Sequence, residues 1–151
     1  MPQIAVQPLV LRNVKLNIKT TAATPVDVGD FEKALSQVML TPSAGNVTFK
    51  GLSPDAIFNF PTGTTWTATL AYAQDWGSVT SLSRYLFDND GAVVTMTFLP
   101  DNGKAVSATN PAFRVTVTLQ AGAVGGTVDT VATATVTLQV QGKPAIVTTN
   151  A

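Results

Sequence analysis

Carboxylates, hydroxyls and a few amines are the only reactive side chains this 151-residue sequence offers, because histidine and cysteine are both absent. Their absence removes the commonest general base and metal ligand, the thiolate nucleophile and any disulfide framework. A hydrolytic site would then need paired carboxylates or a Ser/Lys arrangement. Asp88 and Asp90 stand close together, with Asp101 one hairpin further on. As a pair they could hold Ca²⁺ or move protons, but each also sits where a turn or helix end uses a short acceptor for backbone N–H groups. The turn role is the stronger reading. Glu32 is the only glutamate, which works against a two-carboxylate glycosidase scheme.

Gly122, Gly125 and Gly126 could suggest a phosphate loop, but no Lys-Ser/Thr and no helical pattern follows them. A flexible strand connection is the better account. Trp66, Tyr72, Trp76 and Tyr85 could stack on a sugar; their placement instead suits core packing under a helix. Lys15, Lys19, Lys50 and Arg114 fall on polar strand faces, a weak nucleic-acid signal in a neutral chain. The expectation is therefore no catalytic, cofactor or metal site, and no enzymatic activity.

Nine basic and nine acidic residues cancel, and only 12% of residues are charged, against about 25% in ordinary soluble domains. A surface so poor in charge protects weakly against association, which hints at cover by an assembly. The length suits one domain, 1–151, with arms at about 1–11 and 143–151 that have little to bury. The N-terminus lacks the basic start and apolar run of a signal peptide, and no apolar stretch is long enough to span a bilayer.

Two-residue alternation dominates the pattern. The apolar sets are Val14, Leu16, Ile18; Trp66, Ala68, Leu70, Tyr72; Val94, Met96, Phe98; Phe113, Val115, Val117, Leu119; and Ala132, Ala134, Val136, Leu138, Val140. Thr fills most positions between them. This predicts half-buried antiparallel strands. Residues 47–52 read as a short strand with Val47 and Phe49 inward. Residues 20–29 and 54–64 read as loops. Residues 30–41 read as one helical turn running into a strand. One helix is predicted at about 78–88, capped by Asp75 or Ser78, with Val79, Leu82 and Leu86 on its packed face and Gly91 beyond its end.

The order Trp76-Gly77, Ser81-Leu82, Tyr85-Leu86, the Asn89/Gly91 turn, an alternating strand, then Pro100 and Gly103 resembles the major tail proteins (tail tube proteins) of long-tailed, siphovirus-type bacteriophages. Upstream, Val38-Met39-Leu40-Thr41-Pro42 and Val47-Thr48-Phe49-Lys50-Gly51 are similar to that family's strand and strand-plus-glycine segments. Downstream, Gly125-Gly126 and a final long strand also fit. The likeness covers roughly residues 30–140 and consists of packing and turn residues.

The resemblance implies an antiparallel β-sandwich or barrel-like subunit with one flanking helix. It implies hexameric rings that stack into a tube, the conduit for genome delivery. Implied partners are the chain itself, a tape-measure protein, a tail terminator, baseplate or tail-tip proteins, and double-stranded DNA passing without specific binding. Implied too are assembly in the host cytoplasm, residence in the virion and no membrane. Alternatives are a terminator, connector or capsid-decorating protein of related fold, or an Ig-like or carbohydrate-binding module. The residues agree on three points. Strands apolar on one face and Thr-rich on the other suit a wet lumen. Residues 65–74 and 131–140 carry no Lys, Arg, Glu or Pro, and so read as edges open to a neighbour. A chain without a basic cluster would let DNA slide.

Overall fold

The computed structural model describes residues 2–149. Among them are β1 (Lys15–Thr20), β2 (Asp27–Asp30), β3 (Leu35–Lys50), β4 (Ile57–Ala73), α1 (Leu82–Asp88), β5 (Val93–Leu99), β6 (Ala112–Thr118), β7 (Thr133–Val140) and β8 (Ala145–Val147). The strands form one sheet in the order β2-β1-β5-β6-β7-β4-β3, with β8 also paired to β6. Every pairing is antiparallel.

The expected apolar sets meet in one core. Leu16, Ile18, Val94, Met96, Val115 and Val117 come from one half of the sheet; Ala68, Leu70, Tyr72, Ala134, Val136 and Leu138 come from the other. The halves are hinged at β6–β7, whose ladder holds just Val117 opposite Val140 and Thr118 opposite Gln139. So short a ladder lets the sheet bend and bring both apolar faces together. Burying each Leu or Val side chain contributes about 1.5–3 kcal/mol.

The helix starts later than its pattern suggests. Ser81 is the N-cap, its Oγ accepting from the Arg84 N–H at 3.3 Å. Asp75 serves a separate turn, its Oδ1 accepting from Gly77 N–H at 3.1 Å and Ser78 N–H at 3.3 Å. That turn keeps residues 77–80 out of the helix, so Val79 is 75% exposed rather than packed. Leu82 and Leu86 are buried as expected. Tyr85 stacks on Phe31 at 6.2 Å, which fixes the helix over the crossing from β2 to β3. Residues 31–35 make the expected single turn, with Ala34 N–H on Phe31 O and Leu35 N–H on Glu32 O, before β3 begins.

Three segments depart further from the pattern. Residues 57–64, expected as loop, belong to the 17-residue β4. Residues 47–50 are the end of a 16-residue β3, not a separate strand. The expected loop at 20–29 contains most of β2, and the C-terminal arm contains β8, held on β6 through Ala112, Phe113 and Arg114. Met1 and residues 150–151 of the two arms lie outside the described residues.

Candidate assembly surface

The β3–β4 hairpin has two parts of opposite character. At its base, Val38 pairs with Leu70 and Leu40 with Ala68, and these four side chains turn towards the core. Beyond Leu40 and Trp66, residues 41–50 and 57–65 are all exposed. A register shift between Ala44 and Asn46 marks the change, where β4 spends one residue more than β3. Gly45 N–H bonds Thr62 Oγ1 there at 3.0 Å.

Past the shift the aromatic residues and Val47 lie on the other side, while Ile57 and Pro61 stay with Lys50 and Asn46 on the core-facing side. Strand alternation puts Val38, Leu40, Pro42, Ala44, Asn46, Thr48 and Lys50 on the core-facing side of β3. Val47 and Phe49 therefore lie on the outward side with Met39 and Thr41. Their partners Phe60 and Phe58 share that side. Val47, Phe49, Phe58 and Phe60 are 51–61% exposed, so the inward placing of Val47 and Phe49 is corrected. The Phe49 and Phe58 rings stack at 6.4 Å. On the reverse side Thr48 Oγ1 donates to Asn59 Oδ1 at 2.7 Å. The closing turn is tight: Gly51 N–H bonds Ala56 O at 2.7 Å, and a Cβ on Gly51 would stand 2.7 Å from that of Ala56. Asp55, in the same turn, has its carboxyl held below the usual carboxylate range, chiefly by the Ser53 hydroxyl.

A second apolar feature lies where the two halves of the sheet part. Leu11, Leu40, Trp66, Phe98, Phe113 and Ile146 line a hollow of about 340 Å³, with Lys143 at its rim. Trp66 is thus half-buried at this mouth rather than under the helix. Tyr72 is buried and Tyr85 half-buried, and burial pushes both phenols up. Trp76 packs edge-on to Phe87 at 5.9 Å, and Phe87 is exposed.

The expected open edges are corrected in part. Residues 66–73 of β4 are paired on both sides, by β3 and β7. In β7 only Gln139 and Val140 meet β6, so residues 133–138 pair with β4 alone and keep one open side. The strands at the two ends of the sheet order are β2 and β3. β2 is short and carries Asp27 and Asp30, both held by the Asn17 amide at 2.8 Å. β3 is long, and between Ser36 and Phe49 only Pro42 interrupts its donors. The outward face of β7, β4 and β3 is uncharged, and Thr118, Gln139, Thr67 and Thr41 stand in one cross-strand row; the same face of β6 also carries Arg114.

The candidate chemical groups serve the backbone. Asp90 Oδ1 accepts from Ala121 N–H at 3.0 Å and Asp101 Oδ1 from Gly103 N–H at 3.0 Å. Asp88 ends α1. Among the described residues no cluster of three or more Asp or Glu could hold a metal, and no helix is long and apolar enough to cross a membrane. One Glu32 carboxylate oxygen is buried without a hydrogen-bond partner. Lys15, Lys19 and Arg114 do line one hollow, together with Lys104, Asp27 and Asp30, while Lys50 sits apart at the hairpin end.

The glycine segment is held rather than slack. Gln74 Nε2 donates to Gly125 O at 2.9 Å and Thr133 O at 3.0 Å, and its Oε1 accepts from Gly125 N–H at 2.9 Å. A Cβ on Gly122 would meet the Tyr72 hydroxyl at 2.0 Å, so that position has room for glycine alone. Neither Gln74 nor Gly122 stood out for these roles in the sequence, because their partners are far along the chain.

No protein-family model matches the chain, and no curated protein does. Among solved structures, a chain from the tail of an empty GTA particle with C6 symmetry matches at TM-score 0.50 and 14% identity, covering 87% of this chain and 94% of that one. A chain from the 6-fold symmetrised baseplate of the anti-feeding prophage (AFP) matches at TM-score 0.49 and 12% identity, over 95% and 97% of the two chains. The first likeness shows a shared fold: mainly antiparallel β-structure with one helix.

Proposed function

We propose that this chain is a structural subunit of a phage-type tail, self-assembling into stacked hexameric rings that form the tail tube. The carrying observation is the hairpin, which holds an aromatic face outside the chain's own core, where only another molecule can bury it. The fold shared with a chain from a C6-symmetric GTA tail supports the same reading. The free β3 edge offers backbone donors and acceptors for strand addition between subunits. The uncharged Thr face of β7, β4 and β3 suits a lumen through which double-stranded DNA passes without sticking, since each phosphate contact by Lys or Arg adds affinity.

In this role the subunit works in the virion after assembly in the host cytoplasm. Its partners are its own copies, a tape-measure protein, a tail terminator and baseplate or tail-tip proteins. It performs no catalysis and needs no cofactor. The resemblance of the sequence pattern to siphovirus-type tail tube proteins supports a tail of that type.

Negative-stain microscopy of the concentrated protein tests the reading, with hexameric rings and tubes as the expected result. Rings that never stack would favour a terminator or connector. A chain that stays monomeric, even when mixed with a tail-initiation complex, overturns the proposal.

A further inference from the structure

Two apolar surfaces on this chain lack a partner: the outward face of the hairpin end and the mouth between the sheet halves. The chain cannot join them to each other. Leu40 borders the mouth and Phe49 lies nine residues further along β3, about 30 Å at the rise of a strand. A paired hairpin does not fold back over such a span.

We propose that the hairpin end of one copy seats Phe49, Phe58 and their neighbours in the mouth of a second copy. This deepens the self-assembly reading and rests on it. Charge fits the pairing. The hairpin turn carries Asp55, whose carboxylate the Ser53 hydroxyl favours, and the rim of the mouth carries Lys143. Lys50, the other charge at the hairpin end, lies on the reverse side with Asn46 and Thr48, away from the seated rings. The contact is heterologous, with one surface meeting a different surface on the next copy. Each seated subunit therefore leaves its own hairpin free for another. Such contacts propagate into rings when the rotation closes and into open helical stacks when it does not. An aromatic cluster entering an apolar pocket, with a polar pair at the rim, is also the arrangement that concentrates interface energy.

The absence of cysteine makes the contact testable with introduced thiols. Phe58→Cys marks the hairpin end; Ile146→Cys and Leu11→Cys mark two exposed positions at the mouth. Each single variant is first checked for an unchanged circular dichroism spectrum and melting curve. The Phe58→Cys protein is then mixed with either mouth variant, concentrated, imaged and oxidised with diamide. A disulfide requires Cα atoms within about 7 Å. The expected result is a hairpin-to-mouth dimer in the mixture and a ladder from the chain carrying both thiols. Phe49→Ser added to the double variant should remove the ladder. Assemblies that cross-link only Phe58→Cys to itself, or to neither mouth position, overturn this contact and leave the self-assembly reading standing. A protein that remains monomeric in the images overturns both.

Discussion

The base of the β3–β4 hairpin and its far end are the same two strands under opposite rules. At the base, Leu40, Ala68, Leu70 and Tyr72 turn inward and the residues between them are polar or small. At the far end, the inward side carries Asn46, Thr48 and Lys50, and the aromatic residues face out. A strand built only to complete its own fold has no use for Val47, Phe49, Phe58 and Phe60 beyond the reach of its core. Clustered exposed apolar residues on a monomer mark a surface meant for a partner. On the proposed self-assembly reading, the difference separates residues that specify the subunit from residues that specify the assembly, and mutation can test each side separately.

The largest stability losses belong to the core. Leu70→Ala, Leu82→Ala and Leu86→Ala each remove a buried side chain and should cost about 2–5 kcal/mol, read from urea unfolding. A loss well below that range for Leu86 would mean that α1 does not close the core as described.

Much of that core was legible in the sequence, since alternation needs only local order. Each predicted inward set of β1, β4, β5, β6 and β7 lies in the core or packs against it, except Trp66 at the mouth and Ala132 before β7. Alternation tells which residues share a face, however, and not what that face meets. Val47 and Phe49 are apolar and read as inward, whereas the unbroken alternation of β3 from Leu40 puts them outside, and the extra residue in β4 brings Phe58 and Phe60 to the same side. Pro61, Gly63 and the Thr run hid β4's outer part, because those residues suit a loop as well as an exposed ribbon. The late helix start was hidden by two plausible caps, one of which, Asp75, is engaged in its own turn. Edges were read only in part, since strand order depends on contacts distant in sequence: residues 133–138 keep an open side, but 66–73 do not.

The next effect is smaller and stays within the core half of the comparison. Gly122→Ala pushes a methyl group into the Tyr72 hydroxyl and should cost about 1–3 kcal/mol, as overpacking does. Tyr72→Phe in the same chain should recover part of that loss; no recovery would place the clash elsewhere. The phenol also sets a pH dependence. Burial raises the Tyr72 and Tyr85 pKa values above those of the unfolded chain. The stability tied to the neutral phenols is therefore complete below about pH 10 and is lost as pH rises through the folded-state values. Melting temperature should fall in that alkaline range, less steeply for Tyr72→Phe.

Capping gives a loss of about 0.5–2 kcal/mol. Ser81→Ala removes the acceptor for Arg84 N–H and the donor to Asp75 O. Asp75→Ala, which spares the cap, should cost less if Ser81 rather than Asp75 starts the helix; equal losses would return Asp75 to the capping role.

The smallest expected change in stability is the one that bears most on the comparison. Phe58→Ser alters a side chain 51% exposed at the hairpin end, so the monomer should unfold within about 0.5 kcal/mol of the parent, as surface substitutions do. The stack with Phe49 contributes a little locally, but it lies outside the cooperative core. The proposed assembly should respond strongly, with the rings and tubes expected of the parent lost at the same protein concentration. Trp66→Ala works as the counterpart, because Trp66 lines the mouth and also packs at the hairpin base, so it should weaken both folding and assembly. If Phe58→Ser destabilised the monomer as much as Leu70→Ala, the hairpin end would be part of the fold itself, and the division between subunit residues and assembly residues would fail at its clearest point.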